Sequence, residues 1–297
     1  MTTDQEVRGS NPFGRTRKVP HKTSLIHHAQ PTFAYLFLQG LSVTHPLVHS
    51  VGVLSAAGWG ALSAATLMLG AVFAYAFKPS PELTAIVMAI GSGLLIGSVA
   101  YDLVADAQDS LKLPMLAVAL FAGAATFVLG TRLLEKRGGK NRKSLSSQST
   151  ESENNNPLAI VLGSALDGIP ESFVLGLSVL NGGVSATLLA GIALSNLPEG
   201  MAASAGLRTR KWPLSKVLLM FAAVVATSAI ASSLGYGLLA NDDGTIAGIA
   251  QTFAAGALLA MIADTMIPES YQVEREWTGG LVVAGFALSL LLAAVLG

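Results

Sequence analysis

Gly163-Ser164-Ala165-Leu166-Asp167-Gly168-Ile169-Pro170-Glu171-Ser172 and Gly191-Ile192-Ala193-Leu194-Ser195-Asn196-Leu197-Pro198-Glu199-Gly200 read almost alike, and each lies in the middle of a hydrophobic run. Each sets a Pro-Glu pair just behind polar residues. A carboxylate inside a membrane helix costs roughly 2.5–3.5 kcal/mol on insertion scales, so such residues mark function more readily than packing. Two of them in matching contexts predict a polytopic membrane protein whose interior binds a cation.

The rest of the chain agrees with that environment. Its 297 residues are 52% hydrophobic and only 12% charged, with a mean hydropathy of +0.57. A soluble domain carries about 25% charged residues, so most of this chain does not face water. There is no cysteine, which excludes disulfides and thiolate metal ligands. The basic residues sit in short loops and a tail rather than on one domain face, which argues against nucleic acid as a partner.

A membrane-spanning helix needs about 20 mainly apolar residues. Eight stretches meet that need: 52–77, 82–106, 114–134, 157–180, 184–207, 213–240, 244–268 and 278–296. The predicted fold is all-α, a bundle of eight transmembrane helices in the lipid bilayer of the cell membrane. Residues 1–50 read as a polar tail, disordered over 1–30, with a short interfacial segment at 33–43. Residues 51–297 read as the transmembrane transporter domain. Within it, 135–156 (EKRGGKNRKSLSSQSTESENNN) form a flexible polar loop.

Loop charge orients the bundle. Lys78 follows the first span. Arg132, Lys136, Arg137, Lys140, Arg142 and Lys143 follow the third, and Arg208, Arg210, Lys211 and Lys216 the fifth. Arg275 follows the seventh, and the opposite loops contain only Lys112. This bias places the long loop in the cytoplasm and, with eight spans, both termini outside. The cations of the tail stand far before the first span, where the rule weakens.

Asp167 and Glu171 are four residues apart and share one helical face. Ser195, Asn196 and Glu199 repeat the arrangement in the next helix, and the link Asn181-Gly182-Gly183 makes the two helices neighbours. Two carboxylates facing one point repel unless a cation or proton lies between them. Pro170 and Pro198 would free the carbonyls of Leu166 and Leu194, and in lipid a freed carbonyl needs a partner. The rival reading is a pair of kinks with each glutamate held by an internal donor. No Lys or Arg in the interior of a span is there to provide one.

These residues resemble the ZIP (Zrt/Irt-like) family of divalent-metal transporters. The layout match covers about 52–296 and the motif match about 157–207. Pro170, Glu171, Asn196, Pro198, Glu199 and Gly200 match the family's His-Asn-x-Pro-Glu-Gly-like motifs position by position. The resemblance implies eight spans, outside termini, a variable cytoplasmic loop after the third, and a transport site in the fourth and fifth helices. Here the histidine positions of the two motifs hold Asp167 and Ser195, and all five histidines precede the first span. The expected site is built from oxygens, which suit harder ions such as Mn²⁺ better than imidazole sites do.

The expected metal ligands are Asp167, Glu171, Asn196 and Glu199, with Ser195 as a weaker one. Asp102 and Asp106 read as an entrance site or a solvated helix end. Asp264, in a third Pro-Glu context with Glu269, reads as an exit site or again a solvated end. The tail histidines collect metal or are bland. No cofactor beyond the transported ion and no enzymatic activity are expected, and a homodimer is compatible with the sequence. Two rivals stand beside the metal carrier: a proton-coupled transporter of another solute, and an intramembrane aspartyl hydrolase built on Asp102 and Asp264.

Overall fold

Helix starts are marked by the residues that cap them. Ser80 accepts a hydrogen bond from the Leu83 amide (3.3 Å) ahead of Pro81, and Ser185 does the same for Leu188 (3.3 Å). Such caps satisfy amides that have no partner within the helix. Between the fourth and fifth helices the chain turns through Gly182, whose φ of 106° only glycine adopts readily.

The computed structural model describes residues 45–134, 136, 157–240 and 244–296. The tail, the segment 33–43 and nearly all of the loop 135–156 lie outside the described residues. Apart from His45, the described residues belong to one unit, Pro46–Gly297. Its long helices are α1 (His45–Ala76), α2 (Pro81–Ser110), α3 (Leu113–Leu134), α4 (Pro157–Leu180), α5 (Ala186–Thr209), α6 (Leu214–Gly237), α7 (Thr245–Glu274) and α8 (Thr278–Leu296). Helix α1 begins seven residues before the predicted span. Helices α2 and α7 outrun theirs, each passing through a π-turn, Val99–Val104 and Ile262–Met266.

Seven of the eight are long and apolar enough to cross a membrane, so the protein is an all-α, multi-pass membrane protein. The exception is α5. It has the length, 24 residues, but it carries Ser195, Asn196, Glu199 and Arg208, which lower its hydropathy.

Glycine sets how the helices cross. A Cβ on Gly70 would overlap the Leu197 carbonyl, and one on Gly200 the Leu67 carbonyl; this joins α1 to α5. The same reciprocal contact joins α2 to α8 through Gly93 and Gly285, α3 to α7 through Gly123 and Gly256, and α4 to α6 through Gly176 and Gly235. In every pair the blocked carbonyl stands three residues before the opposing glycine. Close approach of backbones through small residues is the main way membrane helices gain packing energy, since lipid supplies no hydrophobic drive between them. Exchanging α1 with α6, α2 with α7, α3 with α8 and α4 with α5 carries this set of pairs onto itself. The two helices with π-turns are exchange partners.

Many hydroxyls in the bundle find acceptors within it, although those of Thr131, Ser164, Ser204 and Thr278 are buried without a hydrogen bond. Ser92, Ser98 and Thr252 donate to carbonyls one turn back at 2.8–3.1 Å. Ser232 Oγ reaches across to the Ala56 carbonyl (2.6 Å) and Ser270 Oγ to that of Ala85 (2.8 Å). The main apolar core is built around Leu95, Val99, Leu175, Leu188, Ile192 and Leu258.

Candidate functional site

The fourth and fifth helices meet α2 and α7 around one small cavity of about 10 Å³, close to the space of a single water molecule. Its walls are Met88 from α2, Asp167 from α4, Ser195 and Glu199 from α5, and Met261, Thr265, Met266 and Glu269 from α7. Asp167 is 2% exposed and Ser195 3%; Glu199 and Glu269 are half-buried. Spacing explains the α5 contribution, because Ser195 and Glu199 are four residues apart on one face. On α7 the π-turn Ile262–Met266 carries the adjacent Thr265 and Met266, both of which line the cavity.

Glu171 is 3% exposed and sits one step behind this wall. Its Oε1 accepts from Ser195 Oγ at 3.3 Å, and the same hydroxyl reaches the Ile192 carbonyl at 2.8 Å. One hydroxyl proton thus faces two acceptors. A cation that claimed Glu171 would leave that proton to Ile192, so Ser195 can adjust to charge at the site without losing its partner. Asn196, 4% exposed, donates from Nδ2 to the Ser63 carbonyl of α1 at 3.2 Å and keeps its amide oxygen for other work.

The prolines do less than expected. Pro170 and Pro198 lie inside unbroken helices. The Leu194 carbonyl is covered by α2, 3.0 Å from the point where a Cβ on Gly91 would stand, and is no part of the cavity wall. Close packing of α2 against this carbonyl keeps it from the cavity without supplying it a donor.

The remaining expected residues lie elsewhere. Asp102 is half-buried in the π-turn of α2 and accepts from Ser185 Oγ at 3.0 Å. Asp106 is exposed one turn further on. Asp264 is exposed and turned away from the cavity, although its neighbours Thr265 and Met266 line it. Asp102 lies beside Gln251, thirteen residues from Asp264 along α7 or about 20 Å at helical rise, so the two aspartates do not converge.

Sequence reading missed Met88, Met261, Met266 and Thr265. Methionines in apolar runs read as core, and no spacing rule separates a thioether that lines a cavity from one that fills a gap. The wall therefore presents sulfur as well as oxygen. Among the described residues no three His, Cys, Asp or Glu side chains are gathered closely enough to hold a metal ion by themselves, so neutral donors would have to complete any ligand set.

Neither the protein-family models nor the curated proteins compared with this chain give a significant match. Fold and site alone define its class: a multi-pass helical membrane protein with a buried acidic cavity between four helices.

Proposed function

We propose that the chain is a ZIP-like carrier that moves a divalent cation across the cell membrane toward the cytoplasm. The observation that carries this reading is the convergence of Asp167, Ser195, Glu199 and Glu269 on one cavity, with Glu171 held behind Ser195. Carboxylates in the interior of a membrane bundle concentrate at ion pathways. Their donor set of carboxylate, hydroxyl and thioether groups suits a transition-series ion such as manganese, iron or zinc better than magnesium. Moderate ligands that replace hydration yet let go are what conduction and transport require. Exposure of the site to each side in turn would complete the cycle. The separation of Asp102 from Asp264 supports a carrier over an aspartyl hydrolase.

Metal uptake into vesicles decides the matter. Glu171→Ala and Glu199→Ala are each expected to lose most uptake of Mn²⁺, Fe²⁺ or Zn²⁺ while remaining folded in the membrane. Full uptake by both variants would overturn the site. A second reading, proton-coupled movement of another solute, draws on the absence of a three-ligand group among the described residues. Uptake driven by a pH gradient and indifferent to every divalent metal would favour it.

A further inference from the structure

One side-chain amide ties together three parts of the bundle that are distant in sequence. Gln251, in the second turn of α7, is 5% exposed. Its Nε2 donates to the carbonyls of Leu103 (3.0 Å) and Asp102 (3.3 Å). Both carbonyls belong to the π-turn of α2, where the regular helical ladder is interrupted. Its Oε1 accepts from Asn181 Nδ2 at 3.4 Å, in the turn between α4 and α5. Asp102 then accepts from Ser185, which caps α5. The amide uses both hydrogens and its oxygen, and the chain of bonds runs from α7 to α2 to the tip of the α4–α5 hairpin.

This cluster lies at the end of the bundle away from the acidic cavity. Gln251 is fourteen residues from Thr265 on α7, and Asp102 fourteen from Met88 on α2, about 20 Å in each case. Leu95, Val99, Leu188, Ile192 and Leu258, none of them exposed, fill the space between. Burying an apolar plug cannot by itself favour one closed arrangement over another in a lipid-bathed bundle. Directional polar bonds can, and they can be exchanged for water when that end opens.

We infer that Gln251 is the positioning residue of a polar clasp that holds this entrance shut while the cavity faces the other side. The inference rests on the carrier reading for its purpose, but not for its test. The chain has no native cysteine, so a single reporter at Ile192→Cys, between clasp and cavity, is clean. An impermeant thiol reagent is added to membranes from the side that carries the Asn181 turn, with no metal present. In Gln251→Leu, labelling from that side is expected to rise at least about fivefold, the shift that losing one net hydrogen bond gives a two-state equilibrium. Labelling from the other side should not rise. Asn181→Ala, at an exposed position in the turn, should act in the same direction and keeps the test informative if Gln251→Leu fails to fold. Folded variants that label at the parent rate, or that label faster from both sides alike, overturn the clasp. Unchanged labelling with intact metal uptake overturns the clasp and leaves the carrier standing. A chain that moves no metal but opens on one side keeps the clasp and loses the metal.

Discussion

Asn196 shows how a ligand and a brace can be told apart. Its amide nitrogen fastens α5 to α1 at the Ser63 carbonyl, but that carbonyl also accepts from Thr66 Oγ1 at 2.5 Å. Replacing Asn196 with leucine therefore leaves no orphaned acceptor. The stability loss should stay near one net hydrogen bond, about 1 kcal/mol. Asn196 is not among the residues that wall the cavity; if its amide oxygen nonetheless reaches the cargo, transport should fall much further, by about tenfold or more. Thermal unfolding in detergent and vesicle uptake, run on the same preparation, separate the two. A large stability loss with normal uptake per folded molecule would make Asn196 a brace only. Ser195 gives the complementary case. Without its hydroxyl, Ser195→Ala cannot soften the charge of Glu171, and the apparent KM for the cation should change about fivefold, which corresponds to about 1 kcal/mol. An unchanged KM would place the hydroxyl outside the cargo's path.

Helix crossings supply the next prediction. Gly123→Ala drives a methyl into the Phe253 carbonyl, a rigid neighbour, so overpacking of about 1–3 kcal/mol is expected. Gly58→Ala, in the same class of helix but with nothing within 4 Å of the added carbon, should gain about 0.5–1 kcal/mol from reduced backbone freedom. Equal unfolding midpoints for the two variants would show that α3 and α7 are not in backbone contact. These helices also show what the sequence could and could not reveal. Each of the eight stretches read as spans falls on one of the eight helices, although α5 falls short on hydropathy. Which glycine meets which was hidden, because each pair joins residues more than fifty positions apart and depends on how whole helices dock. The π-turns were hidden too, since an inserted residue leaves no compositional mark. They carry Thr265 and Met266, which line the cavity, and the Asp102 and Leu103 carbonyls, which accept from Gln251. The paired motifs were legible because carboxylates in apolar runs are rare. The burial of Glu171 behind Ser195, and the exposure of Asp264, follow from helix rotation that one sequence does not specify.

Taken as a whole, the bundle settles the standing of α5, the one helix too polar to pass as a span on composition. Tyr75 Oη donates to the Trp212 carbonyl at 2.7 Å, and Arg208 Nη1 donates to the Ala74 carbonyl. The C-terminal ends of α1 and α5 therefore lie at the same end of the bundle. Returning to that end requires an even number of crossings after α1, and α2, α3 and α4 provide three. Helix α5 must be the fourth. Its 24 residues extend about 36 Å, enough for a hydrocarbon core of about 30 Å. Its polar groups are tolerable because α1, α2 and α4 cover them, as with the buried Ser195 and Asn196. The same geometry puts Lys78, Arg208, Arg210, Lys211 and Lys216 at one end, the end that the charge bias would orient toward the cytoplasm. Single cysteines at Gly182 and Lys211, at the two ends of α5, should then react with an impermeant reagent from opposite sides of the membrane. A cysteine at Lys78 should follow the one at Lys211, and both should be reached in intact cells only after the membrane is permeabilised. Labelling of the Gly182 and Lys211 positions from one side would remove α5 from the count of spans. It would also place its carboxylate, Glu199, at the surface, where it could not form the interior of a cation path.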